Sequence, residues 1–365
     1  MLWILPLEIL TERYTEQWHR WFEHGCKKRG IDYSFVEGIP LTSTIENGWV
    51  LDTHGTNYWK MTQIAAVCKL FREGRVHSGD SFFTMDMWHP GLEVIPYMAQ
   101  MDELDVKVYG FLHAGSYTEG DFAEPMAPWA VQFERGWASI CHKIFVGSEY
   151  HRWVFWHARV EALPGPILSV PDRIVATGNP YCSAEVLTTA GPLVPACERA
   201  KLVVFPNRWD TEKDPMRFID ILNLVWHIRQ DFTAIATTSR ATFRSNSQAL
   251  LDGLSRANFP LKTVAGLTKT QYYETLASAR VYVSTAIEET FGMCFVESAT
   301  LGCTPVLPHK LSYPEMVDQD TRFLYRTNEE AAELIDQYLD EPLDASYYVQ
   351  RYDHSFDRIL YEMGY

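Results

Sequence analysis

The sequence has no run of eighteen apolar residues, which excludes a helix crossing a membrane on one unbroken hydrophobic stretch. It has no basic start either. Residues 1–6 are short, apolar and soon met by charge, so they predict a first strand and not a secretory leader. The seven cysteines, Cys26, Cys68, Cys141, Cys182, Cys197, Cys294 and Cys303, are odd in number and never fall as C-x-x-C. That spacing offers neither a disulfide framework nor a zinc site, and it implies free thiols in a reducing cytoplasm. Positive charge is also scarce. The balance of 32 Lys and Arg against 47 Asp and Glu leaves a formal net charge of −15. A uniformly acidic surface repels nucleic acid, because passive binding depends on basic side chains displacing counterions from phosphates. The groups Lys27-Lys28-Arg29, Arg72 with Arg75, and Arg240 with Arg244 either line a local basic groove or lie scattered on solvated faces.

What is present describes a globular chain. At 365 residues, 47% hydrophobic and 22% charged, it is long enough for two domains with separate cores. Short apolar runs alternate with helical periodicity. In the first half, residues 2–5, 32–37, 48–52, 81–85, 106–112 and 144–147 are strand-like, 14–22 are helical, and residues 54–57 lead into a helix running to about Phe71. Such alternation predicts α/β architecture with doubly wound sheets and ligands at the carboxyl ends of the strands. Residues 1–183 form the expected first domain. Residues 184–199 lose periodicity and carry Gly191-Pro192 and Pro195, as a linker would. Residues 200–340 form the second domain, and an amphipathic helix over 347–361 lies in the terminal segment 341–365.

Polar residues just after strands are the candidates for chemistry. His113 ends one such run and is either a ligand contact or a satisfied strand-end histidine. His54, Asp86, His89 and Asp121 serve equally well as caps. Trp88, Trp129 and Trp137 either stack a planar acceptor or belong to the core. In the second half, residues 200–205 and 234–238 are strands. The loop after the first carries Asn207, Arg208 and Lys213, and Arg240 follows the second. One planar guanidinium and one mobile ammonium can bracket a diphosphate, or can be balanced on the surface by Asp210, Glu212 and Asp214.

The richest stretch runs from Val281 to Pro308. It reads as strand, loop, helix and strand, with Gly302 closing the helix. Glu289 lies in the loop with Thr290, and Glu297 lies about two turns into the helix. The backbone N–H groups of Phe291, Gly292 and Met293 form the helix mouth, where Gly292 admits a phosphate close to the chain. Two carboxylates so placed accept hydrogen bonds from hydroxyl pairs, or are solvated helix-end charges.

The segment Glu289-Thr-Phe-Gly-Met-Cys-Phe-Val-Glu297, followed by residues 299–306, resembles the E-x7-E signature of retaining glycosyltransferases of the GT-B fold (glycosyltransferase family 4-like, group 1). Residues 205–215, 311–315 and 323–326 are similar to the subgroup that mannosylates queuosine in tRNA. The resemblance covers residues 200–340. It implies two Rossmann-like domains facing a cleft, with segment 341–365 crossing back to the first. It implies a hexosyltransferase that moves a sugar from a nucleotide sugar, GDP slightly favoured over UDP, to a hydroxyl with retention. Arg208 and Lys213 would then neutralise the leaving nucleotide, Glu289 would hold hexose hydroxyls and Glu297 the ribose. His113 would face the hexose, Gly266 and Leu267 would hold the base through their backbone, and no metal would be required. The loop over residues 6–13 departs from these relatives in lacking glycine, which assigns it to the acceptor side. The implied acceptor is a modified base in nucleic acid, of the queuosine tRNA or hydroxymethylpyrimidine DNA kind. A polysaccharide, lipid or small-molecule acceptor is the alternative. A non-catalytic nucleotide-sugar-binding module and a sugar epimerase are further alternatives.

Overall fold

A computed structural model describes residues 1–9, 15–41, 53–121, 123–161, 173–238 and 242–365. The expected strand over 48–52 and the second half of the loop over 6–13 lie outside these residues, as does Arg240. The chain divides into two compact units. The first is Met1–Pro180 with His354–Tyr365, and the second is Tyr181–Asp353.

The first unit is built on β1 (Leu2–Leu5), β2 (Tyr33–Phe35), β3 (Ser81–Thr84), β4 (Lys107–Leu112), β5 (Lys143–Val146) and β6 (Ile174–Ala176). They pair in parallel in the order β2-β1-β3-β4-β5-β6. A two-residue period sends alternate side chains to opposite faces. Leu2, Ile4 and Phe83 meet Trp18 and Phe22 of helix Thr15–Arg29, together with Phe356, Ile359 and Leu360 of the terminal helix Ser355–Met363. Trp3, Leu5 and Phe82 meet Ile64, Val67 and Phe71 of helix Thr53–Arg72. Burial of each such side chain contributes about 1.5–3 kcal/mol.

The second unit repeats the plan with β7 (Leu202–Phe205), β8 (Thr233–Thr237), β9 (Leu261–Val264), β10 (Val281–Val283), β11 (Thr304–Pro308) and β12 (Leu324–Tyr325). Their order is β12-β11-β10-β7-β8-β9, again all parallel. Val203, Phe205 and Val281 face helices Pro215–Ile228 and Asn328–Asp340. Leu202, Val204 and Tyr282 face Leu276, Phe295 and Val186.

Two expectations change. The segment 184–199 is not an extended linker: it opens as helix Ser183–Ala190, which buries Val186 and belongs to the second unit. Proline and glycine end that helix, whose C-cap Gly191 has φ +76°, but do not prevent it. The helix expected over 347–361 is broken into Ser346–Val349, a tight turn over Gln350–His354, and Ser355–Met363, and the unit boundary falls at residue 353. No helix among the described residues is long and apolar enough to cross a membrane, and all seven cysteines are unpaired.

Candidate functional site

The second sheet changes direction between β7 and β10. From β7 the chain steps outward to β8 and β9, then returns to β10 on the other side of β7. The loops that leave these two strands therefore diverge over opposite faces, and the crevice between them is where open α/β sheets bind ligands. Both loops carry the charged candidates.

The loop after β7 contains Asn207, Arg208 and Lys213. Asp214 ends it in a left-handed conformation (φ +44°) and accepts a hydrogen bond from the Arg217 N–H, capping helix Pro215–Ile228. A non-glycine residue held there is strained and needs support. The buried Thr285, just after β10, provides it by donating its hydroxyl to the Lys213 and Asp214 carbonyls, both at 2.8 Å. The N–H groups of Ile287 and Glu288 donate to the Glu212 carbonyl at 2.9 and 3.2 Å. The two loops are thus joined by backbone and hydroxyl bonds, which aims Lys213 into the second loop.

There Lys213 Nζ donates to Glu289 Oε2 and to the Glu288 carbonyl, each at 2.9 Å. Burial alone would raise the Glu289 carboxyl. The adjacent Lys213 ammonium and the N–H groups of Gly292 and Phe291 more than reverse this, so Glu289 is held below the usual carboxylate range. Helix Met293–Thr300 begins beside it. Its N-cap is Gly292, with φ +87°, a conformation L side chains rarely adopt. A Cβ there would come within 3.0 Å of the Tyr313 ring. At the other end, Gly302 (φ +81°) closes the helix: its N–H donates to Ala299 and that of Cys303 to Ser298, the paired bonds of a Schellman ending.

The Phe291 backbone N–H donates to Glu289 Oε1 at 3.4 Å, while its side chain is core, packed edge-on to Tyr352, and the helix starts at Met293. Arg208 is half-exposed and lies 2.6 Å from Glu212 Oε1, close by distance but outside hydrogen-bond alignment, with Asp210 at 3.9 Å. The sequence left open whether Arg208 is balanced by these acids, and it is. Asn207 is buried beside the Tyr282 hydroxyl. Thr290 and Met293 are half-buried at the helix mouth. Gly266 is exposed with φ +66°, and Leu267 half-buried, in the turn after β9.

Glu297 is 6% exposed. Its oxygens accept from Tyr272 and Tyr273, each at 3.0 Å, with Lys269 Nζ at 3.6 Å. Cys294 links it to the rest: its Sγ lies 3.7 Å from the Pro206 carbonyl and 3.9 Å from the Tyr272 hydroxyl. Burial pushes that thiol up to about 12, with both Glu297 and Glu289 adding to the rise. Sequence reasoning missed Thr285, Lys269, Tyr272 and Tyr273. The only signal for the tyrosines was their place one turn into helix Lys269–Ser278, where a helical residue reaches a neighbour no spacing rule identifies.

His113 belongs to the first unit, immediately after β4. Its Nε2 donates to the Met85 carbonyl at 2.8 Å, and its ring packs against Trp18 and Phe111. Trp137 is core. Trp129 is exposed and meets Phe133 edge-on. Lys27 pairs with Glu23, Arg29 with Asp357 and Arg75 with Glu73, so these basic groups have acidic neighbours.

No known family model matches the chain. Over 131 residues it is 28% identical to a tRNA-queuosine alpha-mannosyltransferase of Drosophila melanogaster. That stretch is 36% of this chain and 34% of the relative, so the chain matches about a third of that curated protein's length. In shape it is similar to sucrose-phosphate synthase from Thermosynechococcus elongatus, with TM-score 0.68 and 12% identity over 100% of this chain and 98% of that one. It is also similar to Anabaena HepE in complex with UDP and glucose, with TM-score 0.63 and 13% identity over 100% and 99%. At these identities the similarity defines the fold. Two parallel-sheet, Rossmann-like domains place the chain in the GT-B glycosyltransferase fold.

Proposed function

We propose that the protein is a retaining hexosyltransferase whose nucleotide-sugar donor is held at the β7/β10 switch point. The observation that carries this reading is the Lys213–Glu289 pair at the glycine-capped mouth of helix Met293–Thr300, with Arg208 on the joined loop. Lys213 has three N–H donors, and two are directed to Glu288 and Glu289, so its position is set before any ligand arrives. The third donor, the Arg208 fork and the helix mouth together stabilise the negative charge that develops on a diphosphate as its bond to the sugar breaks. Glu289 accepts hexose hydroxyls, Glu297 a ribose hydroxyl, and the turn at Gly266 and Leu267 offers backbone groups to the base. The bond from anomeric carbon to phosphate oxygen breaks and the bond to the acceptor oxygen forms on the same face, while the acceptor proton passes to the departing phosphate. His113 is assigned to the hexose by the family resemblance.

The match to a tRNA-queuosine mannosyltransferase supports a modified base in nucleic acid as the acceptor and names no donor nucleotide. The HepE structure contains UDP and glucose, which keeps uridine donors and a carbohydrate acceptor as the second reading. The test is a thermal-shift screen against GDP-, UDP- and ADP-sugars. Mass spectrometry then follows transfer to tRNA and to hydroxymethylpyrimidine DNA, and NMR reads the anomeric configuration of the product. Transfer that retains configuration and is lost in Arg208→Ala and Glu289→Ala is the expected result. Donor binding without transfer or donor hydrolysis would reduce the protein to a binding module.

A further inference from the structure

Glu134, on helix Ala127–Ile140 of the first unit, is fully buried. Its Oε1 accepts from the Ser116 N–H at 2.6 Å and from Trp88 Nε1 at 3.1 Å, and its Oε2 from Ser116 Oγ at 2.9 Å and from Arg159 Nε. A carboxylate offers about four lone-pair positions, so this set is complete, and because all the partners donate, only a group that purely accepts suits it. Arg159 is buried too. It donates to Ser116 Oγ at 2.9 Å and lies 5.3 Å from the centre of the Tyr117 ring. It comes from a π-helical turn, Trp156–Val160, a rare geometry that is frequent at functional sites.

These bonds gather the loops that leave β3 and β4, at the carboxyl edge where α/β sheets place ligand contacts. Trp88 lies in the first loop; His113, Ser116 and Tyr117 lie in the second. The loops are also joined to each other, since His113 Nε2 donates to the Met85 carbonyl and the Met87 N–H to the Phe111 carbonyl, each at 2.8 Å. A Cβ at Gly115 would stand 2.6 Å from Glu134 Oε1 and 2.5 Å from the Tyr117 ring, so the second loop is drawn tightly onto the carboxylate.

We propose that Glu134 and Arg159 are positioning residues that fix the loop carrying His113, so that the rate of sugar transfer depends on them although both are buried. This rests on the role given to His113 above. A buried ion pair adds little stability over a well-packed apolar pair, so the contribution of this one is the placement of the loop.

Two neutral pairs separate placement from charge. Glu134→Gln with Arg159→Met keeps an amide oxygen for the Ser116 and Trp88 N–H groups, whereas Glu134→Met with Arg159→Met keeps none. Hydrogen exchange over residues 113–118 should match the wild type in the first variant and quicken about tenfold in the second. Turnover with the donor found in the thermal-shift screen, read as transfer or donor hydrolysis per folded molecule, should stay within about threefold in the first and fall on the order of 100-fold in kcat in the second. Calorimetric affinity for GDP or UDP should stay within about twofold in both, because the second unit is assigned the nucleotide. An ion pair that serves stability alone would leave the two variants equal per folded molecule, and that result overturns the proposal, as does unchanged exchange over residues 113–118 in the second variant. If the second variant is unstable, Ser116→Ala keeps the ion pair and removes the hydroxyl bonds; it should lower kcat about tenfold with nucleotide affinity unchanged, and an unchanged kcat overturns the proposal. A wild type that binds neither GDP nor UDP, or binds without turnover, overturns the proposed function itself, a result distinct from turnover that ignores Glu134.

Discussion

The two units share a plan and use it differently. Among the described residues each has six parallel strands and one switch point, at β1/β3 in the first and at β10/β7 in the second. Among the described residues of the first unit, the Pro6, Val36 and Asp86 acceptors at that point are satisfied by the unit's own helix Thr53–Arg72. Gln63 donates to the Pro6 and Val36 carbonyls, Trp59 donates to Pro6, and the buried Lys60 pairs with Asp86 at 2.6 Å. In the second unit the corresponding loops tie to each other through backbone and Thr285, and that arrangement leaves the Arg208 fork half-exposed beside Glu212. One topology therefore yields a self-satisfied edge in one unit and a charged, preorganised one in the other. Function resides in what the loops carry, not in the sheet.

The largest expected effect breaks this comparison on its catalytic side. Lys213→Ala or Glu289→Ala should lower transfer by about 100- to 1000-fold, because under the proposed function each removes a fixed charge from the donor site. Initial rates with the donor identified in the thermal-shift screen measure it. In the first unit, Lys60→Met should instead cost stability, about 3 kcal/mol by urea unfolding, since it leaves the largely buried Asp86 carboxylate without its cation. Transfer per folded molecule should change only a few-fold, and its abolition would make the first switch point catalytic as well.

Acid sharpens the contrast. Burial lowers both His89 and His151 of the first unit to about 3, so both stay neutral when folded. A histidine depressed on folding stabilises above its ordinary value of 6.5 and loses that contribution as pH falls below it, because the unfolded chain takes up the proton first. Glu289 in the second unit is held below its ordinary 4.5, so its contribution is lost only at lower pH. Hydrogen exchange at pH 5 against pH 7 should therefore show deprotection first in residues 1–180, and simultaneous loss in both units would dissolve this difference. The smallest effect belongs to Gly292→Ala, which forces a side chain into the left-handed region at the helix mouth. It should cost about 1–2 kcal/mol in thermal unfolding and leave the first unit untouched.

Most strands were legible because buried parallel strands are short, apolar and β-branched; β9 was missed because Leu261-Lys-Thr-Val264 is half polar at the sheet edge. Gly292, Glu289 and Lys213 stood out as candidates because glycine and charge next to strand ends break the apolar pattern, and the structure brings Lys213 and Glu289 together. Tyr272, Tyr273 and Thr285 did not, because a hydroxyl declares its partner only through packing. The helix Ser183–Ala190 escaped notice because Gly191 and Pro192 beyond it resemble a linker when their buried Val186 is unseen.

Residue order alone determined the alternation of strands and helices, the glycine turns, and the clustering of acid and base near strands β7 and β10, since these depend on local geometry and periodicity. Only the tertiary structure decided that Lys213 faces Glu289, that Arg208 is shared with Glu212, and that Glu297 is already held by two tyrosines. Those pairings join residues far apart in the chain, and their energies depend on distance and burial, which no local pattern encodes.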